Sequence, residues 1–156
     1  MKKIGIADTT FARFDMGGAA IDELKSRGTG FRIERYTVPG IKDLPVAAKI
    51  LLETKECDMV LAMGMPGSEP IDKQSALVAD LGLQQVQVLT GKHVLGVFVY
   101  EDEAADKRGL AQLADKRSRE HAINAYDLLF RPEAMRRRAG TGQREGFEDV
   151  GTLEDE

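Results

Sequence analysis

Apolar residues follow two different rhythms along the chain. Four short apolar runs stand out: "KKIGIAD" (2–8), "FRIERYTV" (31–38), "DMVLAMG" (58–64) and "HVLGVFVY" (93–100). Three are nearly continuous and bounded by polar residues or glycine, the pattern of parallel strands covered on both faces. The second alternates, with Arg32, Glu34 and Tyr36 on one side, which predicts an edge strand with one partly solvated face. Helical spacing fills the intervals. "GAAIDELKSRG" (18–28) closes on Gly28 as a C′ glycine, and "LPVAAKILLETKE" (44–56) puts Val46, Ala47, Ile50, Leu51 and Thr54 on one stripe. "DKQSALVADLGLQQVQVLTG" (72–91) carries Leu77, Leu81, Val88 and Leu89 and ends on Gly91. Residues 103–130 are charged midway, which predicts two helices divided near Asp115–Ser118. Pro132 stops that pattern, and "PEAMRRRAG" predicts a further short helix. Strand alternating with helix four times predicts an α/β fold of three α/β/α layers, flavodoxin-like, with a four-stranded parallel sheet and right-handed crossovers. The single domain spans 1–140. Residues 141–156 form a tail with few apolar residues and no period, for which Phe147 offers an anchor on this subunit or a neighbour.

Ligands of such sheets bind beyond the carboxyl ends of the strands, so four loops hold the candidate chemistry. Loop 1, "DTTFARFDMGG", offers Thr9, Thr10, Phe11, Phe14 and Asp15. Asp15 suits a helix N-cap. The two aromatic rings in a polar loop either pack beneath it or give a flat ligand a stacking face. Loop 2, "PGIKD", offers Gly40, Ile41, Lys42 and Asp43. Pro45 suits the first helical position, which makes Leu44 the N-cap and leaves the Asp43 carboxylate without a task; a helix beginning one residue earlier makes Asp43 the cap. In both cases free backbone N–H groups face the loop. Loop 3, "GMPGSEPID", is stiffened by two glycines and two prolines and contributes Met65, Pro66 and Gly67. It has neither the lysine-serine/threonine ending of a Walker A loop nor the spaced glycines of a dinucleotide site. Loop 4 holds Glu101, Asp102 and Glu103, which read either as helix-start decoration or as oxygen ligands for magnesium.

Composition narrows the classes. The chain has 156 residues, 42% hydrophobic and 31% charged, which suits one soluble globular domain. Its formal net charge of -4 gives no pull toward nucleic acid or an anionic membrane, and no run reaches the roughly 20 apolar residues of a membrane span. Cys57 is the single cysteine, so no intrachain disulfide can form, in keeping with an expected cytoplasmic location. Of two histidines, His93 begins a strand. His121 lies in a charged helix beside Arg117, Arg119 and Glu120; a lone helical histidine is more often structural, yet it is the better general acid–base candidate.

Read together, "DTTFARFD", "VPGIKDLPVA", "LAMGMPG", "VFVYEDEA", "EHAINAY" and "GFEDVG" resemble the archaeal-type riboflavin synthase family, almost end to end and in order. That family is related to lumazine synthase, whose "PG…ELP" turn is matched here by "PGIKDLP". The resemblance implies a lumazine synthase-like fold and a homopentamer with sites between neighbouring subunits. It implies dismutation of two 6,7-dimethyl-8-ribityllumazine molecules by four-carbon transfer, giving riboflavin and 5-amino-6-ribitylamino-uracil. It implies a divalent metal, usually magnesium, and no redox cofactor.

The resemblance also assigns residues. A ring-stacking phenylalanine after the first strand corresponds to Phe11 in the gap-free register and to Phe14 if "RFD" is matched instead; the gap-free register is preferred. The ribityl- and ring-binding turn corresponds to Ile41, Lys42 and Asp43, and the third-strand loop to Met65, Pro66 and Gly67. Lumazine synthases carry a catalytic histidine in loop 3 and a phosphate-binding loop; "EPIDK" has no histidine, which disfavours lumazine formation. Relatives' acidic or histidine residues early in the third helix are replaced by Leu77–Val78. Lys42, Asp43 and His121 are the catalytic candidates. Thr9, Thr10, Phe11, Phe14, Asp15, Gly40, Ile41, Met65, Pro66, Gly67 and Glu101 are the substrate-binding candidates. A non-catalytic flavin-binding or receiver-like module is the competing reading. A receiver needs an aspartate ending its third strand, where this chain reads "AMGMPG".

Overall fold

The computed structural model describes residues 1–155. Four parallel strands, β1 (Lys2–Thr9), β2 (Phe31–Val38), β3 (Met59–Gly64) and β4 (Val94–Phe98), lie in the order β2-β1-β3-β4. The register pairs Lys2 with Phe31, Ile4 with Met59 and Val60 with Val94. β2 occupies one edge, as its alternation predicts, whereas every residue of β3 is buried. The order reverses between β1 and β3, which places the switch-point crevice above those two strands.

Helices α1 (Met16–Arg27) and α4 (Lys107–Phe130) cover one face, where Ile4, Ile6, Leu61 and Met63 meet Leu24, Ala114 and Ala122. Helices α2 (Leu44–Glu53) and α3 (Pro70–Thr90) cover the other, packing Leu51, Leu52 and Leu83 on Ala7, Val60 and Val94. α2 and α3 approach so closely that a Cβ on Gly82 would lie 2.7 Å from the Pro45 ring. Short α5 (Pro132–Arg137) follows α4.

Several expectations are corrected. α4 is one continuous helix, not two. Asp106 caps it by accepting the Gly109 N–H at 2.7 Å, and its charged middle is neutralised rather than interrupted: Arg119 binds Asp115 at 3.0 Å within the helix and Asp22 of α1 at 2.7 Å. α2 buries Leu44, Ala47, Ala48, Leu51 and Leu52, so its inward face is rotated from the expected stripe, and Val46 is exposed. Leu77, Leu81, Val88 and Leu89 also face outward; α3 packs instead through Ala76, Ala79, Leu83 and Val86. Gly28 follows α1 in extended backbone and sits under the Tyr126 hydroxyl, with no room for a Cβ.

Candidate active site

Loops 1, 2 and 3 converge beyond β1 and β3. The Thr10 N–H donates to Val38 O at 2.9 Å, the Phe11 N–H to Pro39 O at 3.2 Å and the Thr10 hydroxyl to Pro39 O at 3.3 Å. Loop 1 is thereby zipped onto the turn that leaves β2. A cavity of about 280 Å³ opens there, lined by Phe11, Gly40, Ile41, Lys42, Asp43, Pro66, Gly67, Asp72 and Ser75. Phe11 is 57% exposed, a ring held out over polar backbone rather than packed under it. Phe14 belongs to the other class of aromatic, since it packs against the α1–α4 core.

The loop 2 turn is a 3-10 helix over Ile41–Asp43 that runs straight into α2 at Leu44. Leu44 is therefore inside α2, not its cap. Asp43 stands at the N-cap position of α2, as the alternative of an earlier helix start has it, but its side chain makes no cap bond to α2 and instead caps the turn before it: its carboxylate accepts the Gly40 N–H at 3.2 Å. The carboxylate left without a task in the sequence reading thus has one, and it uses a single oxygen. The N–H groups of Ile41 and Lys42 come before the turn's first internal bond, from the Asp43 N–H to Gly40 O, so the turn itself does not use them.

Loop 3 repeats the device. α3 opens with Pro70 at its first position, and the Asp72 carboxylate accepts the Glu69 N–H at 3.1 Å. A Cβ on Gly67 would overlap that carboxylate, so only glycine lets Asp72 lie against loop 3 and reach the cavity. Two carboxylates, Asp43 and Asp72, thus line one cavity, each holding one backbone N–H. Asp72 and Ser75 were not among the sequence candidates; the signal was the "EPID" helix start, an acid at N3 behind a proline at N1.

The remaining candidates lie elsewhere. Thr9, Phe14 and Asp15 line a second cavity of about 400 Å³ on the α1 side of the sheet, around Asp8 and Arg35. Asp15 caps α1 through the Gly18 N–H at 2.9 Å, and that hydrogen bond, followed by one from Arg35, holds its carboxyl below the usual range. The Met65 side chain is buried in the α1–α4 core, so only its backbone is at the loop. Glu101 stands in loop 4 with its N–H on Pro66 O at 3.0 Å and its carboxylate 3.8 Å from Arg13. His121 is buried on α4, away from both cavities: its Nδ1 donates to Arg117 O at 2.9 Å and its Nε2 lies 3.4 Å from Glu145. Among the described residues, no group of three or more His, Cys, Asp or Glu is placed to hold a metal.

The family model of 6,7-dimethyl-8-ribityllumazine synthase matches residues 1–133, most of the described chain. The chain belongs to this family. Within it, the chain is 60% identical over 153 residues to a protein named riboflavin synthase from Methanothermobacter marburgensis, covering 98% of this chain and 100% of that one. Riboflavin synthases of Archaeoglobus fulgidus and Aeropyrum pernix are 53% and 49% identical, each over 97% of this chain and 98% of the relative. These matches run past residue 133 into the tail, as an end-to-end resemblance requires.

Proposed function

We propose that this chain is a riboflavin synthase that converts two molecules of 6,7-dimethyl-8-ribityllumazine into riboflavin and 5-amino-6-ribitylamino-uracil. The observation that carries this reading is the identity of 49–60% to riboflavin synthases over nearly the whole length of both chains. Lumazine formation is disfavoured, because loop 3 has no histidine between Gly64 and Asp72.

The geometry suits a reaction whose substrate brings its own reactivity. The lumazine C7 methyl is acidic because its carbanion spreads over the ring. The site must therefore orient two flat molecules, and orientation can account for about 7–11 kcal/mol of a barrier. Phe11 would stack on one ring. The Ile41 and Lys42 N–H groups and the Lys42 ammonium would receive negative charge building on ring carbonyls. The Asp43 oxygen not held by Gly40 would accept the methyl proton. Magnesium would be held by Asp72, through the oxygen not used by the Glu69 N–H, with water and substrate oxygens, and it would neutralise charge on those substrate oxygens; one or two carboxylates plus water and substrate is ordinary magnesium ligation.

Self-association is part of the reading. The outer face of α3 presents Ile71, Leu77, Val78, Leu81, Val88 and Leu89, all exposed, with Gln74, Gln84 and Gln85 among them and the exposed charges Lys73 and Asp80 along one edge. An apolar stripe of that length favours burial against other copies, as in a homopentamer. Leu81→Lys would then lower the assembled mass in light scattering. Among the described residues no helix is long and apolar enough to cross a membrane, in keeping with a cytoplasmic enzyme. Incubation of the folded protein with 6,7-dimethyl-8-ribityllumazine and magnesium should yield riboflavin fluorescence; no product, with lumazine formed instead from the pyrimidine diamine and phosphorylated butanone, would overturn the assignment.

A further inference from the structure

Arg117 is a charged side chain only 5% exposed, in the middle of α4. Its Nη1 donates to Phe98 O, the last carbonyl of β4, at 3.0 Å and to Glu103 at 2.7 Å. Its Nε donates to Gly146 O at 3.1 Å, and its guanidinium carbon lies 4.6 Å from the centre of the Phe147 ring. Four partners from three segments therefore meet on one guanidinium, a planar fork suited to several acceptors at once.

Two of those partners belong to the C-terminal tail, which is folded rather than extended. The Val150 N–H donates to Gly142 O at 3.0 Å and the Arg144 N–H to Asp149 at 2.9 Å, closing a small loop with its ends together. The apex of that loop, Gly146, rests on α4. Its φ of +76° is left-handed, and a Cβ there would lie 2.7 Å from His121 Cε1 and 3.1 Å from Arg117 Cγ. Only glycine allows the approach.

Of the other two partners, Glu103 leads to the candidate active site. The Glu103 oxygen bound by Arg117 also accepts the Tyr100 N–H at 2.8 Å, which fixes the loop 4 turn. That turn places the Glu101 N–H on Pro66 O, and Pro66 lines the Phe11 cavity.

We propose that Arg117 is a positioning residue for the reaction, and that the loop Gly142–Gly151 of the same subunit holds it in place. The proposal rests on the riboflavin synthase reading for its catalytic consequence but not for its structural one. With the loop seated, Arg117 is held from both sides and fixes the rim formed by loops 3 and 4. With the loop unseated, the guanidinium loses Gly146 O and the Phe147 ring, water reaches it, and Glu103 is released.

The test uses Gly146→Ala, Phe147→Ala, Arg117→Lys and Arg117→Met in the full chain. Amide hydrogen exchange at Tyr100 and Glu101 should quicken about tenfold or more in Gly146→Ala, a local opening that leaves the β3 amides protected. Turnover should fall roughly 5- to 20-fold in Gly146→Ala and Phe147→Ala with KM changed less than about twofold, the signature of a lost transition-state alignment. Arg117→Lys should retain several-fold more turnover than Arg117→Met, because an ammonium can still hold Glu103. Unchanged exchange at Tyr100 and Glu101 in Gly146→Ala overturns the proposal. So does wild-type turnover in both loop variants. A wild-type chain that makes no riboflavin overturns the activity reading instead, and the exchange measurement still decides whether the loop holds the rim.

Discussion

Arg35 gives both its Nε–H, at 3.1 Å, and its Nη2, at 2.6 Å, to a single carboxylate oxygen of Asp8. The other Asp8 oxygen accepts the Thr37 hydroxyl at 2.6 Å, and the residue is buried at the end of β1. Removing the guanidinium leaves a buried carboxylate with one neutral donor. Breaking a fully buried pair costs about 3–5 kcal/mol, and Arg35 is partly exposed, so Arg35→Met should destabilise by about 1–3 kcal/mol. Urea midpoints measure this; a change below about 0.5 kcal/mol would show that the pair contributes only geometry.

Asp15 connects the same arginine to acid stability. Its carboxyl is held below its ordinary value near 3.8, first by the Gly18 N–H and then by Arg35. A depressed folded value means that the stabilisation is complete above 3.8 and is lost as pH falls through the lower folded value. Asp15→Asn should therefore reduce the loss of stability between pH 5 and pH 3 relative to the wild-type chain, measured by denaturant midpoints at both pH values.

The two loop 1 phenylalanines should separate cleanly. Phe11 is exposed at the cavity, so Phe11→Ala should change stability by less than about 0.5 kcal/mol while lowering turnover about tenfold or more. Phe14 packs on the core, so Phe14→Ala should cost about 2–4 kcal/mol. Equal stability losses in the two variants would contradict the assignment.

Asp43 can act through its cap, its charge or both. Asp43→Asn keeps an oxygen for the Gly40 N–H, whereas Asp43→Ala loses it and should cost about 0.5–2 kcal/mol. If the free carboxylate oxygen takes the methyl proton, both variants lose turnover although only the alanine loses stability. Full activity in Asp43→Asn would reduce the residue to a cap. Lys42→Ala should lower turnover with little effect on melting temperature.

Cys57 provides a chemical reporter of folding. It is fully buried, and burial pushes its thiol up to about 11. Thiolate is the reactive form, so thiol reagents at pH 8 should label the chain only in denaturant. Rapid labelling of the folded chain would contradict this burial.

Much of the fold is legible in the chain because strands such as Met59–Gly64 are buried on both faces and leave an unbroken apolar run. α4 was not legible, because its charged centre finds partners far away in sequence: Asp22 for Arg119, and Phe98 and Gly146 for Arg117. Local pattern cannot show that a charge is satisfied by a distant residue. The inward face of α2 was read only in part: Ala47 and Leu51 of the expected stripe are buried, but Leu44, Ala48 and Leu52 complete the buried face while Val46 is exposed. Within the candidate site, strand-end logic pointed to the PGIKD turn and to loop 1, and the family resemblance preferred Phe11, the ring that lines the cavity, over Phe14. Asp72 and Ser75 were not legible, because they enter from the next helix only once loop 3 has folded back.

The contact between Gly82 and the Pro45 ring joins the helix that begins beside Lys42 and Asp43 to the helix that carries the apolar outer stripe. No side chain intervenes at that crossing. The spacing between the Phe11 cavity and the outer stripe is therefore set at that crossing, and any residue larger than glycine at position 82 would push the two helices, and with them the two surfaces, apart.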